Sequence, residues 1–233
     1  MNFAWGDRAG RCRSKVLRGE WVMARESTKD LLLEVGKQTF LERGYKNSGI
    51  ETILQAAGVP KGSFYYYFDS KEDFGLKVLD RFAECYDQRM DQTLGDSTLS
   101  PLDRFRRHFE GIADRFDHDQ CRKGCLIGNL SQELADQSEA FRLKLEEIFR
   151  RWEDRYTECL QLAHDCGEIA PILPTREAAG LWLSGWQGAV LRAKSSRTSA
   201  PLRAFMAVMF LHILRAPTHQ SVAVYLPQLA GPQ

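Results

Sequence analysis

Three consecutive tyrosines lie in a short stretch that also carries a lysine, a glycine and a serine. The stretch is Lys61-Gly62-Ser63-Phe64-Tyr65-Tyr66-Tyr67. Hydroxyl groups can bond phosphate oxygens and base edges, an ammonium group finds guanine acceptors, and a glycine lets the backbone approach a partner closely. Because Phe64 and Phe68 are four residues apart, they supply one helix face and leave the tyrosines pointing outward or sideways. This row predicts contact with nucleic acid, with a set of core aromatics as the alternative.

A second group of side chains with possible chemistry surrounds Cys125. It follows Arg122, Lys123 and Gly124 and opens a stretch, residues 124–135, with a helical pattern. A thiolate adds to α,β-unsaturated carbonyls and is oxidised by hypochlorite-type oxidants, and basic neighbours and a helix N-terminus favour the thiolate. The alternative is a small core hydrophobe, which is what most free cysteines are.

Metal binding and enzymatic catalysis find little support in the sequence. Cys121 and Cys125 could form a disulfide or half of a metal site, but no second pair has the spacing of metal ligands. His164-Asp165-Cys166 alone is too weak a pattern. No nucleophile elbow, phosphate loop or dinucleotide fingerprint is present. We therefore expect neither a metal nor a cofactor, and a thiol-dependent enzyme is the less favoured class.

The composition is that of an ordinary globular protein. The 233 residues are 43% hydrophobic and 27% charged, with a net charge of +1. This excludes a strongly basic nucleic-acid coat and argues against disorder. No apolar run approaches the roughly 20 residues needed to span a bilayer. With no visible secretory signal and with scattered cysteines, we expect a cytoplasmic protein with reduced thiols.

Helical periodicity runs through the chain from Ser27 onward and predicts an all-α fold. Ser27 or Thr28 is expected to cap the first helix and Gly44 to end it. Ser48 is expected to cap a short second helix that ends at Gly58. With the third helix, which carries the tyrosines, this forms a helix-turn-helix pattern. Further helices are expected after Ser70, after Ser100-Pro101, over residues 124–135, from Ser138 to Gly167, from Thr175 to Lys194, and from Pro201 to Arg215.

The stretch from Gly58 to Glu72 resembles the tetracycline-repressor (TetR) family of bacterial transcription regulators. The same family pattern fits Phe40, Gly44, Tyr45, Ser48, Ile53 and Ala57. The resemblance covers about residues 27–75. It implies a homodimer that binds double-stranded operator DNA through an N-terminal helix-turn-helix domain and a small effector through a helical C-terminal domain.

Within this family pattern, nine residues are expected to contact DNA. By the resemblance, Tyr65 and Tyr67 donate to phosphates and Tyr66 faces the groove. Lys71 lies beside a helix N-terminus, where the two together could clamp a phosphate. The full expected set is Lys46, Ser48, Lys61, Gly62, Ser63, Tyr65, Tyr66, Tyr67 and Lys71. Residues 23–80 carry eight Lys and Arg against nine Asp and Glu. Specific contacts must therefore contribute more to DNA affinity than the net charge of this segment does.

The chain is expected to divide into four parts. Residues 1–24 form a basic leader, 25–75 the helix-turn-helix domain, 76–216 the effector and dimerisation domain, and 217–233 a flexible tail. The leader is either disordered or an arm that touches DNA phosphates, and Met23 is an alternative to Met1 as the start. The fourth helix, from Lys71 to about Asp91, is the expected lever between the domains.

Residues 121–130 and 186–194 look like the branch of the family that responds to reactive electrophiles and acrylate-type compounds. In that branch a cysteine after a glycine and a lysine late in the penultimate helix are associated with sensing, and these are Cys125 and Lys194 here. Arg192 and Trp186 complete the expected effector set. In the alternative, Lys194 or Arg192 pairs with a carboxylate reversibly, without a covalent step.

The last two helices carry apolar residues that suit a four-helix bundle with a second copy of the chain. Intramolecular packing is the competing interpretation. The expected dimer contacts are Leu181, Trp182, Ala189, Val190, Phe205, Val208, Met209 and His212.

Overall fold

The computed structural model describes residues 27–214, which form nine α-helices and one π-helical turn. The helices are α1 (Thr28–Arg43), α2 (Ile50–Ala57), α3 (Lys61–Tyr67), α4 (Lys71–Leu94), α5 (Pro101–His118), α6 (Leu126–Leu134), α7 (Glu139–Asp165), α8 (Thr175–Ser196) and α9 (Ala200–Val208). The π-helical turn is Met209–Ile213. The predicted all-α class is therefore confirmed. The predicted leader, the alternative start at Met23 and the predicted tail lie outside the described residues.

Helix ends follow the local chemistry of the sequence at most positions. Ser27, Ser70 and Ser100 each accept a hydrogen bond from the backbone N–H three residues further on, at 3.2, 3.0 and 3.4 Å. Gly44 ends α1 with φ at +77°, and Gly58 ends α2 with φ at +65°. A side chain is strained in this left-handed region, which explains the glycines.

The second helix begins differently from the prediction. Gly49, not Ser48, is its N-cap residue, and no side chain caps it. Ser48 is fully buried, and its hydroxyl donates to the carbonyl oxygen of Gly44. The expectation that Ser48 caps α2 was wrong because this hydroxyl closes the preceding turn instead.

The chain divides into two compact units. The first contains residues 27–87 and 126–146, so α6 and the start of α7 belong to the same unit as the helix-turn-helix. Its centre is a cluster of rings in edge-on and tilted contact. The ring centroid of Phe74 of α4 lies 5.9, 5.2 and 4.8 Å from those of Phe40, Phe64 and Phe68. The domain boundary predicted at residue 75 does not coincide with this division.

The second unit contains residues 88–125 and 147–214 and has a core built from aromatic rings. Trp182 is fully buried, with ring centroids 4.7 Å from Phe105, 4.8 Å from Phe109 and 5.0 Å from Phe210. Burying rings of this size is a large source of stability. Helices α8 and α9 pack against each other here. The last predicted helix ends at Val208 and continues as the π-helical turn.

None of the helices within residues 27–214 combines the length and the apolar character that crossing a bilayer requires.

Candidate nucleic-acid interface and cysteine site

Helix α3 presents an open polar and aromatic face. Phe64 and Phe68 are buried, whereas Tyr65 is 53% and Tyr66 is 80% exposed. Tyr67 is half-buried, with its ring centroid 4.8 Å from that of Tyr66. The tyrosines therefore stand outside the core, as the four-residue spacing of the phenylalanines predicted.

The N-terminal turn of α3 is accessible as well. Lys61 is exposed and pairs at 3.5 Å with Glu51 of α2, an exposed ion pair that contributes little to stability. A Cβ atom added to Gly62 would meet no described atom within 4 Å. Internal packing therefore does not require this glycine, and Ser63 beside it is half-buried.

Two residues expected at the interface have other roles in the structure. The buried hydroxyl of Ser48 is bonded within its own turn and is not presented to a phosphate. Lys71 is partly buried and donates its ammonium group to the carbonyl oxygen of Tyr45 at 2.8 Å. Burial lowers the pKa of Lys71, and the nearby charge of Glu133 partly opposes that change. Lys46 is exposed, as the expectation requires.

Cys125 lies directly before the first residue of α6 and is half-buried. The side-chain amide of Gln187 on α8 donates to its sulfur at 3.7 Å. The thiol therefore has an amide donor, and its residue lies at the N-terminal end of α6.

The other described cysteines lie in different surroundings. Cys121 and Cys159 are buried, and burial raises the pKa of each thiol, for Cys159 to about 12. Cys85 lies within α4, and Cys166 is exposed just beyond the end of α7. Among the described cysteines, Cys125 is the one whose side chain is partly accessible and whose position is directly before the start of a helix. Within residues 27–214, no group of three or more His, Cys, Asp or Glu side chains is arranged to hold a metal ion.

Cys125 contacts Gln187 of α8. Four residues earlier, the charge of Arg197, just past the end of α8, partly opposes the rise that burial causes in the pKa of the Cys121 thiol. Lys194 lies between these two points and is seven residues, or two turns, from Gln187 on the same helix face. Lys194 is half-buried.

The remaining two expected effector residues differ in exposure. Trp186 is buried, with its ring centroid 4.8 Å from that of Phe109. It belongs to the aromatic core of the second unit. Arg192 is exposed.

The expected dimer residues separate into a buried and an exposed group. Trp182, Ala189, Val190 and Met209 are at most 7% exposed within a single chain. They pack within the single chain, which leaves little of their surface for a second copy. Phe205 is half-buried, and its ring lies against that of Trp182.

Exposed apolar residues do occur on α8, at the end of α9 and on the π-helical turn that follows it. Leu181, Leu191, Val208 and Leu211 are each about half exposed, between 49% and 54%. Gly188 lies between the two leucines of α8, and His212 follows Leu211 and is exposed. Sequence periodicity found the helices, but the expected dimer set combined residues from the buried and the exposed faces of α8.

Sequence reasoning also missed two residues with specific contacts. Glu133 of α6 accepts hydrogen bonds from the backbone N–H groups of Tyr45 and Lys46 at 2.9 and 2.6 Å. Gln187 contacts the sulfur of Cys125. Glu133 lies in no recognisable motif. Gln187 lies in the stretch 186–194 that carries the resemblance, but its own role was not predicted, because its partner is 62 residues away in sequence.

These features define a class of protein. The chain matches the model of the bacterial regulatory proteins of the tetR family over residues 32–76 and that of the tetracyclin repressor-like C-terminal domain over residues 101–209.

Similar proteins agree with this assignment. The transcriptional repressor DhaR of Mycobacterium sp. (strain GP1) is 39% identical over 192 residues, 82% of this chain and 95% of the relative. The transcriptional regulator AcuR of Cereibacter sphaeroides is 36% identical over 184 residues, 78% of this chain and 84% of the relative. The crystal structure of the reduced form of Escherichia coli NemR matches with a TM-score of 0.76 and 31% identity, covering 82% of this chain and 98% of that chain.

The chain belongs to the TetR family of transcription regulators, a family of DNA-binding regulators rather than enzymes. The resemblance stated from the sequence is confirmed, including the similarity to the branch that contains AcuR and NemR.

Proposed function

We propose that this protein is a homodimeric, sequence-specific transcriptional repressor that leaves its operator when Cys125 reacts with a small electrophile. Support for the repressor role comes from the names of DhaR and NemR, which are described as transcriptional repressors. The contact between Cys125 and Gln187 carries the sensor role. It joins a half-buried thiol to the helix face that also carries Lys194.

The chemistry proposed for Cys125 is a conjugate addition. The thiolate attacks the β-carbon of an acrylate-type compound and forms a C–S bond. The π electrons of the double bond move toward the carbonyl, and the α-carbon takes a proton from water. Lys194 stabilises the thiolate before the reaction or the carboxylate of the bound compound. The adduct replaces the bond from Gln187 and changes the volume at the start of α6.

DNA contact is assigned to the open face of α3. Tyr65 and Tyr66 are exposed without a role in the core, and the surface at Gly62 is free of described side chains. A short helix presented in this way suits the major groove, where its N-terminal residues meet base edges. Lys46 adds a phosphate contact from the loop before α2.

Dimerisation is assigned to four exposed apolar residues, here called the apolar stripe. They are Leu181 and Leu191 of α8, Val208 at the end of α9 and Leu211 of the π-helical turn. A solvent-exposed apolar stripe on two adjacent helices is typical of an interface. In a two-fold dimer the same stripe meets itself and forms a four-helix bundle. Two copies also present two copies of α3 to the two halves of an operator.

The sensor proposal is tested by fluorescence anisotropy on the protein's own upstream intergenic DNA at fixed salt. Wild type, Cys125→Ser and Cys166→Ser are measured with and without acrylate and N-ethylmaleimide, with adducts counted by mass spectrometry. Cys166 is the matched control because it is an exposed cysteine at a different site. Release in wild type and Cys166→Ser, but not in Cys125→Ser, is expected. Equal release in all three proteins would refute the covalent mechanism.

A reversible pocket is the second candidate, and one observation favours it. The indole N–H of Trp182 is buried and has no acceptor among the described residues. A buried donor of this kind suits the carbonyl or carboxylate oxygen of a small effector. In this case acrylate would release DNA from Cys125→Ser as well, and Trp182→Phe would lose the response while Cys125→Ser kept it.

A further inference from the structure

The loop between α1 and α2 is held by a carboxylate from a distant helix. One oxygen of Glu133 accepts from the N–H of Tyr45 at 2.9 Å and the other accepts from the N–H of Lys46 at 2.6 Å. Charge-assisted bonds of this kind are about twice as strong as neutral ones. Both acceptors of the side chain are therefore committed to two adjacent peptide groups nearly 90 residues away in sequence.

The same loop is fixed on its other sides. The ammonium group of Lys71 bonds the carbonyl oxygen of Tyr45, and the Tyr45 ring lies 5.1 Å from that of Phe141 at the start of α7. Burial, with Glu72 and Glu133 as lesser causes, raises the pKa of Tyr45 to about 12, so the phenol stays neutral. The N–H, the carbonyl and the ring of one residue are thus all engaged.

Gly44 shows how closely the carboxylate approaches. Its φ of +77° is one that a side chain rarely adopts, and a Cβ atom there would lie 2.9 Å from the Oε2 atom of Glu133. The backbone turn therefore requires the glycine, and a side chain there would also have to displace the carboxylate of Glu133.

The position of Glu133 links this loop to the sensor cysteine along one helix. Helix α6 begins at the residue after Cys125, and Glu133 lies in its last turn. A rigid helix carries a displacement of its first turn over about 10 Å to its last. The groups that Glu133 holds include the backbone of Lys46, whose exposed side chain is assigned to DNA.

We propose that Glu133 is a positioning residue for DNA binding and that it carries the state of α6 to the loop between α1 and α2. When α6 is undisturbed, the two bonds hold Lys46 and the start of α2 in the orientation that DNA requires. When α6 moves, the bonds break and the loop must be ordered again at a free-energy cost on binding. This inference rests on the proposed DNA binding and deepens it.

The test compares Glu133→Ala, Glu133→Gln and the control Asp136→Asn, which removes an exposed acid just past α6. Operator affinity is measured with and without N-ethylmaleimide, alongside the thermal midpoint and hydrogen exchange of residues 44–49. In Glu133→Ala we expect about tenfold weaker operator binding, within the usual range of coupling between sites. We also expect faster exchange of residues 44–49, and little further weakening on alkylation.

Glu133→Gln keeps one acceptor and should fall between wild type and Glu133→Ala, which also covers the case that the alanine variant folds poorly. A purely structural role would lower the thermal midpoint and leave the ratio of affinities with and without alkylation as in wild type, and that result would overturn the proposal. If wild type binds DNA but ignores the electrophile, the sensor proposal fails. The role of Glu133 is then decided by operator affinity and hydrogen exchange alone, and unchanged values would overturn it.

Discussion

Lys71 donates to the carbonyl oxygen of Tyr45, and its Nζ atom lies 4.3 Å from the centroid of the same tyrosine ring. One cation therefore holds both the backbone and the side chain of a residue in the loop between α1 and α2. This geometry makes Lys71 a part of the domain's structure rather than a free phosphate clamp.

Replacing Lys71 with methionine is expected to destabilise the protein without changing the salt dependence of DNA binding. Loss of a charge-assisted bond to a partly buried carbonyl costs about 1–3 kcal/mol. Denaturant unfolding measures this loss. In a parallel titration, the slope of log affinity against log salt should match wild type for Lys71→Met. It should fall by about 0.9 per lost phosphate contact for the exposed Lys46→Ala. A reduced slope in Lys71→Met would show that Lys71 does contact a phosphate, as the sequence predicted.

Replacing Gly62 with alanine is expected to separate stability from DNA binding. The added methyl group meets no described atom within 4 Å, and alanine favours a helix over glycine by about 0.5–1 kcal/mol, so the thermal midpoint should rise. Operator affinity should fall, because the methyl group occupies the space where DNA approaches.

Gly180→Ala on α8 is the matched control for that change. Its added Cβ lies 3.6 Å from the nearest atom of Glu153, which is ordinary contact. It should also stabilise the protein and leave anisotropy titrations with operator DNA unchanged. Wild-type affinity in Gly62→Ala would show that α3 does not approach DNA at this residue.

Replacing Leu191 with glutamate is expected to shift the protein from dimer to monomer. Leu191 is 49% exposed on the apolar stripe, so a single chain tolerates a charge there. In a two-fold dimer that buries this stripe, the interface would bring the carboxylates of the two copies together. Sedimentation equilibrium at micromolar concentration measures the change, and operator affinity should drop with it. Leu143→Glu on α7, where the leucine is 55% exposed, is the control and should remain a dimer. If both variants sediment alike, the stripe is not the interface.

The sequence predicted the elements far better than the contacts between them. Ser27, Ser70 and Ser100 are capping residues whose partners lie three residues away, so local chemistry sufficed to find them. Ser48 has the same residue type, but a turn carbonyl competes successfully for its hydroxyl. A cap prediction fails where a second acceptor lies within reach of the side chain.

The candidate site shows the same contrast between local features, which the sequence predicts, and contacts between distant residues, which it does not. The outward tyrosines followed from the spacing of Phe64 and Phe68, a property of a single helix. Glu133 and Gln187 act on partners 88 and 62 residues away, and only the folded chain brings them there. For Trp182 the apolar pattern was visible, but whether an apolar residue faces its own core or a second copy depends on the packing of several helices.

Burial of His108 gives the stability of the protein a pH dependence whose sign follows from the lowered pKa of this ring. Its ring is fully buried, and its Nδ1 atom lies 2.7 Å from the hydroxyl of Thr93. The same hydroxyl lies 2.8 Å from the carbonyl oxygen of Arg89, and when it donates to that oxygen, Nδ1 donates to the hydroxyl. Burial, with the charges of Arg89 and Arg155, lowers the pKa of His108 from 6.5 to about 3.

Between these two pKa values the unfolded chain binds a proton that the folded chain does not. The stability that His108 contributes is therefore complete above pH 6.5 and is lost as the pH falls toward 3. At pH 5 the loss from this group is about 2 kcal/mol, at about 1.4 kcal/mol for each pH unit below 6.5.

Denaturant unfolding at pH 7.5 and pH 5 tests this, with the change compared among wild type, His108→Asn and His118→Asn. The amide of His108→Asn still donates to Thr93 but does not titrate, so its loss of stability between the two pH values should be smaller than that of wild type by about 2 kcal/mol. The exposed His118→Asn should lose as much as wild type. Equal losses in all three proteins would mean that the buried ring keeps its ordinary pKa, because the acid sensitivity would then arise from other groups.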